Sequence, residues 1–279
     1  MDGFNVCLSF DFDAMSVMVA RGLKSPTPIS RGEFGAVGAN RILALLDKYR
    51  LKASWFIPGT TVKTYPGHVR RIAEAGHEIG NHGWTHVPPA SLSPQQEEAG
   101  LLRANEAIAE IYGKPPVGYR SPAWDLSPTS VDLLLKHGFL YDSSMMGHDH
   151  HPYHARRNDI VPDDEPIEFG ETTSLIEMPV SWSLDDFPHF EYMRTKESTL
   201  PGLRSASDVL ENWVQDFEYM KLSEQWGVLT YTFHPFVSGR GHRMLLLERL
   251  ITSLLERGAV FMTVEEAALK FRDRGKHTG

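Results

Sequence analysis

Two aspartates and two histidines stand where a metal site could form. Leu8-Ser9-Phe10-Asp11-Phe12-Asp13 ends an apolar run with two carboxylates, and Asn81-His82-Gly83-Trp84-Thr85-His86 sets two imidazoles four residues apart. Two His and one carboxylate can hold a divalent cation and leave a position free for water. Such a cation lowers the pKa of its water and polarises a carbonyl, which suits hydrolysis. Asp13, His82 and His86 are the candidate ligands, which frees Asp11 to act as a base.

Spacing sharpens this reading. Residues two apart on an extended chain face the same side, so Asp11 and Asp13 share a face. Two like charges at a buried strand end are costly without a cation between them, and Arg120 is a candidate partner for Asp11. His82 and His86 at a spacing of four lie on one side of a helical turn. The plain alternatives are surface aspartates and a chance pair among 13 His. His234 follows Thr230-Tyr231-Thr232-Phe233 and could donate a proton at a strand tip. Asp185 or Asp186 could hold such a His in orientation. His148, His150, His151 and His154 also crowd together, but without regular structure to fix ligand geometry, and they read as a loop near the site mouth.

Elements that alternate between strand and helix must position these groups. Strands are expected at Val6–Phe10, Ala53–Ile57, His77–Gly80, Val117–Arg120, Phe139–Asp142, Ile176–Pro179, Val228–Phe233 and Ala259–Met262. Helices are expected at Ala39–Tyr49, Val69–Ala75, from Ser93 to about Tyr112 behind a capping box with Gln96, from Ser127 to His137, at Ser207–Met220, at Met244–Leu255, and from Thr263 to about Phe271. Residues 143–171 read as irregular, and Met15–Gly35 is too long for a simple turn, so it should cover the site or form a subunit contact. Asp11, Asp13, His82, His86, Arg120 and His234 all follow expected strands. In parallel α/β folds that end carries the active site.

Composition narrows the partners. The chain has 279 residues and a net charge of -8, which argues against nucleic acid or an anionic membrane as the main partner. No stretch is apolar enough to span a bilayer, and the N-terminus lacks a signal-peptide pattern. The single Cys, Cys7, reads as a small core residue, and one thiol makes no internal disulfide, so a cytoplasmic protein is expected.

The motifs, in order, resemble those of the polysaccharide deacetylase family (NodB homology, carbohydrate esterase 4), over nearly the whole chain. Ser9-Phe10-Asp11-Phe12-Asp13 resembles the first motif, His82-Gly83-Trp84-Thr85-His86 the His-Ser/Thr-x-x-His motif, Arg120-Ser121-Pro122 the Arg-x-x-Pro motif, and His234 the last catalytic His. The resemblance implies a distorted (β/α) barrel of about seven strands in one catalytic domain, residues 1–279. It implies a divalent metal, most often Zn2+, on Asp13, His82 and His86. Asp11 would be the base, Arg120 its holder and His234 the acid. The family's first motif has adjacent aspartates followed by Gly. Here Phe12 intervenes and Ala14 follows, so ligand and base remain interchangeable between Asp11 and Asp13. That spacing resembles a branch with peptidoglycan deacetylase-like proteins and cyclic imide hydrolases, which implies a homo-oligomer, a tetramer by preference.

The expected function is therefore metal-dependent hydrolysis of a non-peptide C–N bond. Trp84, Trp124, Trp182 and Phe187 are candidate substrate contacts. They could close a pocket around a small cyclic imide or amide, the reading favoured here, or stack on an N-acetylated sugar or peptidoglycan. A metal-free ligand-binding relative is the rival from another class.

Overall fold

A computed structural model of the protein describes residues 3–194 and 199–275. Its strands are β1 (Asn5–Asp11), β2 (Ser54–Ile57), β3 (Glu78–Asn81), β4 (Gly118–Tyr119), β5 (Tyr141–Asp142), β6 (Tyr153–Arg157), β7 (Glu171–Glu177), β8 (Met193–Arg194), β9 (Thr199–Leu200), β10 (Val228–Phe233) and β11 (Val260–Met262). The main sheet runs β10-β1-β2-β3-β4-β5-β7-β6, with β11 also paired to β1. It is parallel except for β6 against β7. Helices between the strands cover its outside, so the curled sheet is an α/β barrel of the NodB type, as expected.

Period-two alternation divides β1 between two environments. Val6, Leu8 and Phe10 pack outward into the core beneath the helices, where Phe10 stacks on Trp55 (4.8 Å) and Phe233 (5.5 Å). Cys7, Ser9 and Asp11 lie on the other face, with Cys7 in an inner cluster beside Phe56 and Tyr141. Cys7 is fully buried, and burial pushes its thiol far up, so it is the core residue its sequence suggested.

Among the described residues, no strand pairs with the outer edge of β10, so the barrel stays open there. The free edge of β10 is covered instead by two loops. Val228 N donates to His150 O (2.9 Å) at its start, and Asp185 bridges Thr232 near its end. The histidine-rich loop therefore lies at the opposite end of β10 from His234, not at the site mouth. There His151 bonds Glu224 (2.9 Å) and stacks near Trp226.

Among the elements that depart from the sequence reading, β6, β7 and the long helix after β1 have a plain physical reason. β6 emerges from the segment expected to be irregular. Only Ala155 of its five residues is buried, so the edge strand carries almost no apolar alternation. β7 starts at Glu171 rather than Ile176, because its first four residues lack a buried side chain. The helix expected from Ala39 begins at Pro26. Its buried face there consists of Gly32, Gly35 and Gly38, which no apolar periodicity reveals. A Cβ on Gly38 would stand 2.0 Å from Pro235 O. The missing side chain lets the helix press against the turn that follows His234.

Candidate active site

The ends of β1 and β3 and the loops after β4 and β10 converge on one cavity of about 320 Å3. Asp11, Asp13, His82, His86, Trp124, Trp182, Phe187 and His234 line it, together with Val17 and Arg21 from the segment after β1. That segment, with a short helix at Ser16–Ala20, thus covers the site.

Asp13 sits at the centre. Its Oδ1 is 3.4 Å from His82 Nε2, its Oδ2 is 3.3 Å from His86 Nε2, and the same oxygen is 3.8 Å from His234 Nε2. His82 and His86 do not share a helical turn as their spacing suggested. Residues 82–88 are a loop, turned by Gly83 at φ 68° and His86 at φ 59°, which brings the two rings to 5.0 Å. Ala14, Ala123 and Trp124 also have positive φ, so backbone strain gathers around the cavity.

This donor set fits a divalent cation. Asp13, His82 and His86 offer buried ligand atoms within 4.8 Å of one another. Both Asp13 oxygens and His82 Nε2 are buried without a hydrogen-bond partner, a costly arrangement unless something else engages them. His82 Nδ1 lies 2.7 Å from Arg120 O. A carbonyl only accepts, so Nδ1 carries a proton, which leaves Nε2 to face Asp13. Burial would raise the Asp13 pKa, yet His86 and His82 hold the carboxyl well below the usual range.

Asp11 has a different neighbour. Arg120 Nη1 donates to Asp11 Oδ1 and to Ser9 Oγ, both at 2.8 Å, while Nε and Nη2 bond Ser143 O (3.1 Å) and Ser143 Oγ (3.0 Å). The guanidinium is fully buried inside the barrel, 4.2 Å from the Phe56 ring centroid. These bonds compensate its lost hydration, as a buried charge requires.

His234 is held from behind. Asp186 accepts from its Nδ1 (2.8 Å), from its backbone N (3.0 Å) and from the Ser238 hydroxyl. Of the two aspartates the sequence left open, Asp186 makes this clamp. Asp185 instead caps the helix Asp186–Phe190 through Phe187 N (2.7 Å) and stands 3.6 Å from His234 Nδ1. Burial works against a charged His234, but Asp185 and Asp186 outweigh it and lift its pKa from 6.5 to about 10. Burial also raises Asp185 to about 7, against the pull of His234.

Trp124 and Trp182 stack at 4.2 Å and form one wall, and Phe187 packs on His234 at 5.3 Å. Trp84 does not line this cavity. It packs behind the His82–His86 loop, against Gly59 and beneath Arg103 (3.8 Å). Ser143, Ser238 and Arg21 carry no motif that would have marked them, although Arg21 falls in the long segment expected over the site or at a subunit contact; Ser9 opens the first motif, but its contact with Arg120 was not expected.

A family model described as polysaccharide deacetylase matches residues 33–141. A peptidoglycan deacetylase of Helicobacter pylori is 36% identical, over 96% of both chains. The chain belongs to the polysaccharide deacetylase family. A peptidoglycan deacetylase-like protein of Gibberella zeae, FGM2, is 30% identical over 95% of this chain and 86% of its own. Among solved structures, a candidate polysaccharide deacetylase from Mycobacterium smegmatis superposes with a TM-score of 0.85 at 30% identity, covering 98% of this chain and 92% of its own. An allantoinase, PuuE, reaches a TM-score of 0.77 at 20% identity, over 95% of this chain and 89% of its own, so it shares the fold. Among the described residues, no helix is long and apolar enough to cross a membrane.

Proposed function

We propose that this polysaccharide deacetylase-family chain is a metal-dependent amide hydrolase that removes the acetyl group from an N-acetylated amino sugar, with residues 1–279 acting as one catalytic domain. The observation that carries the reading is Asp13. It is buried, with both oxygens unpartnered, and faces two histidines between an arginine-held aspartate and an aspartate-held histidine. The names of the Helicobacter and Gibberella relatives support the substrate class.

Asp13, His82 and His86 would hold the cation, zinc in this reading, which supplies an acidified water and a polarised carbonyl. Asp11, held in place by Arg120 Nη1 at 2.8 Å, takes the proton of the attacking water. His234, charged and clamped by Asp186, gives its proton to the leaving nitrogen. The paired Trp124–Trp182 wall and Phe187 hold the acyl-bearing group in place. A metal-free binding module would have no use for a buried Asp-His-His set in which both Asp13 oxygens and His82 Nε2 lack hydrogen-bond partners.

A second reading is hydrolysis of a small cyclic imide or amide. The cavity size favours it, since about 320 Å3 encloses one small ring and not a stretch of polymer. A side-by-side assay on zinc-loaded protein separates the two: acetate release from N-acetylglucosamine oligomers against ring opening of succinimide and maleimide. Turnover of imide alone replaces the sugar reading. Turnover of neither, with bound metal confirmed, overturns both.

A further inference from the structure

Next to Ser143, which holds the Arg120 guanidinium, stands a second pair of acids. Asp142 ends β5 and Glu177 ends β7, register partners in the sheet, and both are fully buried. Both carboxyl groups converge on Ser144. Glu177 Oε1 accepts from Ser144 N (2.9 Å) and Met145 N (2.8 Å), and Asp142 Oδ1 accepts from the Ser144 hydroxyl (2.7 Å). The remaining oxygens, Asp142 Oδ2 and Glu177 Oε2, have no donor at all. Two adjacent negative charges in a dry interior are strongly disfavoured, and a single proton between the orphaned oxygens would remove one charge and satisfy both.

We propose that Glu177 is protonated, that its hydroxyl donates to Asp142, and that this acid pair is the positioning device for Arg120 and hence for Asp11. The chain of contacts is continuous. The pair fixes the backbone and hydroxyl of Ser144. Ser144 Oγ in turn accepts from Ser121 N (2.8 Å), next to Arg120. Ser143, between Asp142 and Ser144, holds the guanidinium through both its carbonyl and its hydroxyl.

The surroundings favour this state. Burial first, and then Asp142, pushes Glu177 far above the usual carboxyl range. Asp142 is raised by burial but eased by its hydrogen bonds and by Arg120, so it is the member that keeps the charge. Tyr119 and Tyr153, which also face the pair, are neutral phenols, pushed up chiefly by burial. One proton leaves the pair a single negative charge, on Asp142, which Arg120 favours.

The inference rests on the amide-hydrolase reading for its catalytic consequence, but not for the proton. Glu177→Gln supplies an N–H to Asp142 and an oxygen to Ser144 and Met145, so it mimics the protonated acid. On the metal-loaded enzyme it should keep a near-wild-type kcat. Glu177→Ala should lower kcat on the order of tenfold or more with little change in KM, as loss of a supporting hydrogen bond does. Infrared spectra at neutral pH should show a protonated-carboxyl stretch in the parent protein that Glu177→Gln removes. A kcat for Glu177→Gln as low as that of Glu177→Ala, or an unchanged carboxyl band, overturns the proposal. If no amide is turned over, the hydrolase reading fails, and the infrared band alone decides the proton.

Discussion

His82 Nδ1 stands 2.7 Å from the main-chain oxygen of Arg120. One residue thereby serves two neighbours: its backbone sets the tautomer of a candidate ligand, and its side chain holds the candidate base. A change at position 120 should be felt by both.

Arg120→Met leaves Asp11 buried without its cation. Removing one partner of a buried pair typically costs about 3–5 kcal/mol. Urea unfolding should report a loss of that order, with activity near background. A variant as stable as the parent would mean that the ion pair is not dry.

His82→Ala should lose metal and activity together, measured as metal per chain after dialysis. Asp11→Asn should retain the metal and lose on the order of 100-fold in kcat, the usual cost of removing a general base. If Asp11→Asn is the variant that loses metal, Asp11 and Asp13 exchange roles, the alternative left open by Phe12 between them.

His234 gives a signed pH dependence. Its pKa is raised from 6.5 to about 10, so the proton needed for the leaving group is present at neutral pH and lost as pH climbs toward 10. Its contribution to stability follows the same course, complete below 6.5 and gone above about 10. Asp186→Asn removes a charge that raises this pKa, so the alkaline limb of kcat should move to lower pH. A limb that stays in place would assign it to another group.

Gly38→Ala tests the helix behind the site. The added carbon meets Pro235 O at 2.0 Å, so the turn after His234 must shift. Overpacking of this kind costs about 1–3 kcal/mol. Thermal melting should fall accordingly, and kcat should drop while metal content is unchanged.

The parts legible in the sequence were those with a strong local signal. β1 and β10 are apolar runs that end in chemistry-bearing residues. Ser93 with Gln96 makes the expected capping box, with bonds of 3.3 and 3.0 Å. The positions after strands led to Asp11, Asp13, His82, His86, Arg120 and His234, which the fold gathers in and beneath one cavity. What escaped notice depends on contacts distant in the chain. Gly32, Gly35 and Gly38 form a helix face defined by what approaches it. The His82–His86 loop mimics helical spacing but is shaped by positive φ. Trp84 looked like a pocket wall, yet its ring turns behind the loop because Gly59 and Arg103 leave it a place there.

β1 has an early strand, β2, beside its site end, and a late one, β10, along its other edge. Ser9 bonds Tyr231 O, 222 residues further along, and β11 follows later still. A growing chain on the ribosome thus displays Asp11 and Asp13 early but lacks one flank of their pocket until β10 has emerged. Until then the half-made site has no His234 and no second wall for β1, and hydrolytic competence arrives only with the final quarter of the chain.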